Sequence, residues 1–485
     1  MRKQTLVAVL IGLTTTANAD PAFDIGRASR NTIDPSRFNY DIPPHSANYD
    51  DPLRPQFHFT PVQGHMADTT GLIFHEGTYH LFHMFDQWER RRYKHKQWGH
   101  ATSRDLIHWQ QVDPILDTVR DHKPGSGCGI VDFNNSSGLQ QGDGKTLLVF
   151  YTDYESGTCV SFSRDAGKTW QYYEKNPVLP GADDKRDPLV IWHAPSRKWS
   201  MVRYEKKGMA FYQSDTLVDW TPTGRLEGFY ECPDLFELPV EGSEGKRWVL
   251  VDGNGSYFVG QFDGRMFHPE SDRQRVIYGD AYATQTWKFP DAAPVQVAWM
   301  PYPLNEITQT LNWHGQMTFP CTLALRRSGE GSIRLCREPV AALDGIRDSG
   351  REFTKRDFTV DSTGNPLKDI PMDVQEIDLN IGAVNADGFV LKIGAAQIKY
   401  LASERKLACE GVEAKVPGEG KGIHLRVLVD RPSIEIFAED GQVTISRVLF
   451  QSLSSDRELS LAAAGAGTLD VRNLRVTPLK SIWPR

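Results

Sequence analysis

The sequence predicts an all-β chain, a five-bladed β-propeller followed by a β-sandwich. Three observations point there. From Phe57 onward, short apolar or alternating segments such as Thr146-Leu147-Leu148-Val149-Phe150-Tyr151, Trp199-Ser200-Met201-Val202 and Trp248-Val249-Leu250-Val251 are separated by Gly, Asp, Asn and Pro. No long stretch carries a helical period. A weak repeat recurs, with Ser103-Arg104-Asp105 leading to Trp109, Ser163-Arg164-Asp165 to Trp170, and Ser214-Asp215-Thr216 to Trp220. The Trp-to-Trp spacings of about 60 and 50 residues suit one four-stranded blade with its loops. Each copy follows an apolar segment and reads as a structural turn.

Residues 1–19 read as a signal peptide: Arg2 and Lys3 form a basic start, Leu6 to Leu13 is apolar, and Ala17-Asn18-Ala19 is a cleavage pattern. That predicts export, to the periplasm or the outside. The apolar run is too short to span a bilayer, and no other segment is long enough. Residues 20–56, rich in Pro, Asn and Asp, read as an extended leader on the surface. Residues 57–348 hold the five blades, the last including Gln296-Val297-Ala298-Trp299. A hairpin carrying Cys321 and Cys336 leads out of it. With its turn near Ser328-Gly329 the two cysteines stand opposite, as a cross-strand disulfide or as two buried thiols. Cys128, Cys159, Cys232 and Cys409 show no metal-ligand spacing. Residues 349–485 are a polar link, Arg351 to Lys368, and the sandwich. Its strands include Val374–Leu379, Gly388–Ile393 and Ser433–Phe437, with a hairpin turn at Glu439-Asp440-Gly441-Gln442.

A chain of 485 residues exceeds one compact core. With 39% hydrophobic and 24% charged residues it is globular, and a net charge of −7 argues against a nucleic-acid partner. Three carboxylates sit beside turn residues: Asp68 within His65-Met66-Ala67-Asp68-Thr69-Thr70-Gly71, Asp187 within Arg186-Asp187-Pro188, and Glu231 within Glu231-Cys232-Pro233. Asp68 is read as held out of the sheet by a small-residue turn between two strands. Hydrolysis of a glycoside needs a proton for the leaving oxygen and a carboxylate on the sugar's other face. A third acid can hold sugar hydroxyls. The ends of propeller strands near the axis bring such distant residues into one funnel.

These three motifs resemble those of glycoside hydrolase family 32, the invertase, inulinase and levanase family, which carries Trp-Met-Asn-Asp-Pro-Asn-Gly, Arg-Asp-Pro and Glu-Cys. Tyr79-His80-Leu81-Phe82, Trp98-Gly99-His100-Ala101, Ser126-Gly127-Cys128, Tyr257-Phe258-Val259-Gly260 and Ser433-Ile434-Glu435-Ile436-Phe437 add to the resemblance, which runs from about Phe57 to Val476. It implies an exported, retaining hydrolase of β-fructosidic bonds acting through a covalent fructosyl-enzyme. Asp68 would be the nucleophile, Glu231 the general acid/base and Asp187 the stabiliser of the transition state. Arg186, Trp98, Ser126, His65, Met84, Tyr282 and Trp299 would line the sugar site. The substrate partner would be a fructan or fructosyl oligosaccharide. No cofactor and no metal is implied.

The sequence departs from the family pattern where the fructosyl ring is bound. His65 stands for Trp, Ala67 for Asn, Thr69-Thr70 for Pro-Asn, and Met84 for Gln. Each lost hydrogen bond removes roughly 0.5–1.5 kcal/mol. Fructosyl transfer, hydrolysis of an unusual furanoside, and a non-catalytic carbohydrate-binding propeller are the alternatives. Elsewhere, Arg90 to Lys96 reads as a solvated basic loop and Asp183-Asp184 as surface charge. His100 either lines the pocket or is structural. Trp98 and Trp299 either stack on sugar or fill the core.

Overall fold

A computed structural model of the chain describes residues 49, 51, 53–86, 96–116, 124–181, 184–289, 291–305, 308–328, 331–450 and 458–483. The expected signal peptide, most of the expected leader, Asp183 and all of the basic run except Lys96 lie outside the described residues.

The described chain is all-β, its helices being short 3-10 turns such as Ala341–Ile346. Five sheets follow one another, each built on four antiparallel strands in chain order, and all but the third carry one further short strand. The first is Gly64–His75, Thr78–Asp86, Gln97–Ser103 and Trp109–Ile115. The second is Pro124–Asp132, Thr146–Asp153, Gly157–Ser163 and Gln171–Tyr172. The third is Lys185–His193, Lys198–Glu205, Gly208–Ser214 and Thr221–Glu227. The fourth is Asp234–Pro239, Lys246–Val251, Ser256–Phe262 and Phe267–Pro269, and the fifth Tyr282–Trp287, Val295–Met300, Cys321–Arg327 and Ile333–Pro339. The first strand of each sheet lies against the first strand of the next, and Tyr282–Trp287 lies back against Gly64–His75.

The repeat is the turn between third and fourth strands. Ser103 and Ser214 each accept the backbone N–H three residues on, at 2.9 and 2.8 Å, and Ser163 accepts that of Gly167 at 2.9 Å. Leu106, Ala166 and Leu217 take positive φ of 68°, 57° and 65°. The indole N–H of Trp109, Trp170 and Trp220 closes each turn on a backbone carbonyl at 3.0–3.2 Å. A short polar side chain bonding its own backbone makes this turn, so the pattern is visible in sequence.

Two further sheets follow. A seven-stranded sheet runs Ile277–Gly279, Val443–Val448, Ser433–Ala438, Ile423–Val429, Gln375–Val384, Leu469–Pro478, Phe353–Val360. A five-stranded one runs Val412–Lys415, Lys406–Cys409, Ala396–Leu401, Gly388–Ile393, Leu459–Ala464. Alternate residues of both, among them Ile377, Leu379, Phe389, Leu391, Ile434, Ile436 and Leu461, form one apolar core. Glu439 to Gln442 is the expected turn, with Gln442 N–H on the Glu439 carbonyl at 3.3 Å.

Four expectations are corrected. The hairpin with Cys321 and Cys336 does not lead out of the fifth sheet but forms its outer two strands, Val295 and Gln296 pairing with Thr322 and Cys321. Its loop spans Ser328 to Ser332, longer than a two-residue turn, so Cys336 faces Ala324 and Cys321 faces Pro339. An offset of three residues puts the two thiols on opposite faces of the hairpin. All six cysteines are free and buried. Reductant is therefore expected to leave the melting temperature unchanged, and a drop with dithiothreitol in a thermal melt would contradict this. The link Arg351 to Lys368 begins with an edge strand, Phe353–Val360, which reads as polar because both its faces are largely exposed. The end of the leader is not on the surface: Arg54 is fully buried, donating to Thr60 at 2.6 Å and to the carbonyls of Pro61 and Val62.

Candidate active site

The site is built from β-bulges. Gly64–His75 is one strand rather than two joined by a turn, and its pairing with Thr78–Asp86 slips between Met66 and Thr69. Ala67 and Asp68 are left unpaired there, across from Met84. A bulge turns a side chain out of the alternation of its strand. The same device recurs in the first strands of three other sheets. The register slips between Pro124 and Gly127, freeing Gly125 and Ser126; between Arg186 and Leu189, freeing Asp187 and Pro188; and between Tyr282 and Gln285. Asp187 and Ala283 take positive φ of 58° and 52°. Glu231 precedes the first strand of the fourth sheet, and Cys232 after it has φ 54°.

These bulges bring the three carboxylates together. Asp68 accepts the Ser126 hydroxyl at 2.8 Å. Thr152 links the next two elements, donating its hydroxyl to the Ser126 carbonyl at 3.0 Å and accepting the Asp187 N–H at 2.8 Å. Asp187 is buried, with the Cys232 N–H on its Oδ2 at 3.2 Å. Arg186 Nε donates to Glu231 at 2.6 Å and lies 3.8 Å from Asp187. The Tyr282 hydroxyl donates to the other oxygen of Glu231. Asp184, expected as plain surface charge, is the counterion of Arg186 Nη1 at 2.5 Å. Gly253 sits under this corner: its N–H bonds the Glu231 carbonyl at 2.8 Å, and a Cβ there would lie 3.2 Å from the Tyr282 ring.

Burial and mutual repulsion set the protonation of the cluster. Burial, then the Glu231 charge, pushes Asp68 up to about 6, against the Ser126 hydrogen bond and Lys96. Burial and Glu231 push Asp187 up to about 8, with Arg186 pulling the other way. The cluster therefore retains protons that three separate carboxylates lose. Glu231, partly exposed and held by two donors, with the Asp68 carboxyl in the same cluster, can put a proton donor and a carboxylate nucleophile in one place.

The other expected site residues divide. Ser126, Arg186 and Tyr282 touch the acids directly. Met84 faces the bulge that carries Asp68. His65 stacks on His314 with ring centroids 4.7 Å apart, and Trp299 pairs with Tyr282 across the fifth sheet while its indole nitrogen sits against Gly315. Trp98 is a correction. It is fully buried behind Gly71 and donates its N–H to the Gly125 carbonyl at 3.0 Å, so it braces the Ser126 bulge and offers no face to a sugar. His100 is structural, stacked on Phe82 at 4.1 Å with a nitrogen 3.0 Å from His80. Sequence reasoning missed Thr152, Lys96 and Tyr154. Thr152-Asp153-Tyr154 ends an apolar strand as Asp68 and Asp187 border theirs, and that position was the available signal. Among the described residues no cluster of His, Cys, Asp and Glu is spaced to hold a metal ion.

Comparison with known proteins agrees with this geometry. The model of the glycosyl hydrolases family 32 N-terminal domain matches residues 58–339, and that of the family 32 C-terminal domain residues 349–478. A levanase of Bacillus subtilis is 32% identical over 90% of this chain and 72% of its own length. An extracellular exo-inulinase of Aspergillus ficuum is 29% identical, over 90% of this chain and 97% of its own. The crystal structure of exo-inulinase from Aspergillus awamori superposes with a TM-score of 0.80 at 25% identity, covering 90% of this chain and all of that one. The carboxylate cluster thus sits in a chain whose two halves both match one family, and the chain belongs to glycoside hydrolase family 32.

Proposed function

We propose that the chain is an exported, retaining β-fructosidase acting on fructans or sucrose-like oligosaccharides. The five sheets are read as blades of one propeller, residues 57–348, with the first strands around its axis, and residues 349–485 as the sandwich. Asp68 attacks the anomeric carbon and forms a covalent fructosyl-enzyme. Glu231 protonates the leaving oxygen and then deprotonates the incoming water. The hydrogen bonds from Arg186 and Tyr282 stabilise the Glu231 carboxylate as its proton departs, so they act most strongly along the reaction coordinate. Asp187, held by the Cys232 N–H, meets the sugar hydroxyls beside the developing oxocarbenium ion. The convergence of Asp68, Asp187 and Glu231 through Ser126, Thr152 and Arg186 carries this reading. A binding protein has no need to gather three carboxylates against one another. The levanase and extracellular exo-inulinase relatives support the substrate class, and with the N-terminal pattern they support export.

Ala67 and Met84 weaken the hold on the ring, and the acids are unaffected. High KM with substantial kcat is the consequence. Product analysis on sucrose, inulin and levan tests the reading: release of fructose or short fructans supports it, and binding without turnover overturns it. The pH dependence follows from the cluster. The nucleophile must be ionised, so kcat/KM is expected to fall as pH drops through about 6, the position of Asp68. It is expected to fall again at higher pH, as the coupled acids lose the last proton they retain, which the leaving group requires. A profile flat from pH 5 to pH 9 would contradict these assignments.

A further inference from the structure

Four large apolar or aromatic side chains stand exposed among the described residues: Phe133, Tyr154, Tyr230 and Leu304. Phe133 packs on Trp192 and Trp199 at the far end of its strand from Ser126. Leu304 is aliphatic. The two tyrosines belong to the carboxylate cluster. The tip of the Tyr154 ring lies on Gly125, where a Cβ would come within 2.8 Å of Cε2 and 2.9 Å of the hydroxyl. That sets the hydroxyl one residue from Ser126, the partner of Asp68. Lys96 Nζ stands 4.5 Å from the centre of the ring. Asp187, Asp68, Arg186 and Glu231 all act on the hydroxyl, and burial and the carboxylates hold its pKa far above the ordinary value. Yet the residue is 40% exposed. Its hydroxyl end therefore faces the acids while its flank is open to solvent.

Tyr230 precedes Glu231 in the chain, and the charges of Glu231 and Arg186 act on its hydroxyl. Its ring meets Tyr204 at 5.9 Å, and Tyr204 lies under the Arg186 guanidinium at 4.4 Å. It is 38% exposed. Exposed aromatic surface costs solvation, and sugar rings present apolar C–H faces that cover it. A fructosyl unit bound between Asp68 and Glu231 brings the sugar beyond the scissile oxygen beside Glu231, near the partly exposed rings that border the cluster.

We propose that Tyr154, with Lys96 over its ring, and Tyr230 form the two walls of the subsite that holds the leaving-group sugar. This rests on the fructosidase reading above. The aromatic flanks take the apolar faces of the second ring, and the Lys96 ammonium donates to its hydroxyls. The site thus selects a glycosyl leaving group over a small alcohol.

Steady-state kinetics on sucrose and 1-kestose, with competitive inhibition by free fructose, test this in Tyr154→Ala and Tyr230→Ala, with the Phe variants as rescue. Each Ala variant is expected to raise KM for both substrates about tenfold. The expected kcat stays within a few-fold, and the inhibition constant of fructose, which fills only the fructosyl pocket, is unchanged. Tyr230→Phe, and Tyr154→Phe for KM, should restore the wild-type value. An unchanged KM in both Ala variants would overturn the proposal. So would a parallel loss of fructose inhibition, which would assign the rings to the fructosyl pocket. A wild type inactive on every fructoside would overturn the fructosidase reading itself, and the subsite with it.

Discussion

Asp68→Asn is expected to lower turnover of fructosides by about 10⁴-fold or more, because no other group can form the covalent intermediate. Glu231→Gln should cost about 10²–10⁴-fold on sucrose and far less on a substrate whose leaving group needs no proton. The two variants differ from structural lesions in a second way. The pKa of Asp68 is raised on folding, from 3.8 to about 6. A raised acid contributes stability that is fully present below its unfolded pKa and lost as pH rises through its folded one. At pH 7 the ionised Asp68 therefore burdens the fold, and Asp68→Asn is expected to be more stable than the wild type by roughly 1–3 kcal/mol. Thermal melts at pH 4 and pH 7 check the sign: the advantage should appear at pH 7 and vanish at pH 4. An inactive variant that is also destabilised at pH 7 would reassign Asp68 as a structural acid.

His58→Gln should do the reverse, destabilising the protein by about 3–5 kcal/mol, the scale for breaking a buried ion pair from one side. His58 lies at the start of the first sheet's lead-in and is buried between two carboxylates of the C-terminal sheets. Nδ1 is 2.8 Å from Asp430 and Nε2 is 2.8 Å from Glu435. Those carboxylates also accept the backbone N–H groups of Gln56 at 2.7 Å, Phe57 at 3.1 Å and Phe319 at 2.7 Å. One cation thus neutralises two acids that hold residues 56–58, and Phe319 just ahead of the fifth sheet's third strand, against the seven-stranded sheet. Burial works to lower the His58 pKa, but the hydrogen bonds and charges of Asp430 and Glu435 outweigh it and raise it to about 9. For a group raised on folding, the stability is whole below the unfolded value of 6.5 and is lost as pH rises through 9. The loss amounts to roughly 3 kcal/mol. The wild type should melt progressively lower from pH 7 to pH 10, and the gap to His58→Gln should narrow over the same range. A gap that stays constant with pH would mean that His58 is neutral and acts by packing alone.

Neither His58 nor its partners stood out in the sequence, and the reason is general. Asp430 and Glu435 lie more than 370 residues away, and nothing in the local pattern of any of the three marks a buried charge. The same holds for the cysteines. Their opposition depended on the length of one loop, and an offset of three residues in the pairing put Cys336 on the other face of its hairpin from Cys321. Trp98 and Trp299 carried equal aromatic signals as sugar platforms, and both are buried in one apolar core, because which face of a strand meets the core is decided by the neighbouring sheet.

Local chemistry was legible. Alternating apolar segments, the Ser/Asp turn that closes on a Trp, and three carboxylates beside Gly, Pro and Cys are statements about adjacent residues, and they determined the all-β class, the repeated sheets and the three acids. What only the tertiary structure decided is the aim of those acids. Asp68 looked like the product of a turn between strands, but it sits inside one continuous strand whose register slips. Asp187 and Ser126 are freed by slips in two other strands, and Tyr282 borders a slip in a third. A bulge exists only relative to the partner strand it fails to match, so its position is a property of pairing and not of composition. The raised pKa values of Asp68 and Asp187 follow first from burial and then from that convergence, since repulsion between carboxylates requires that they meet.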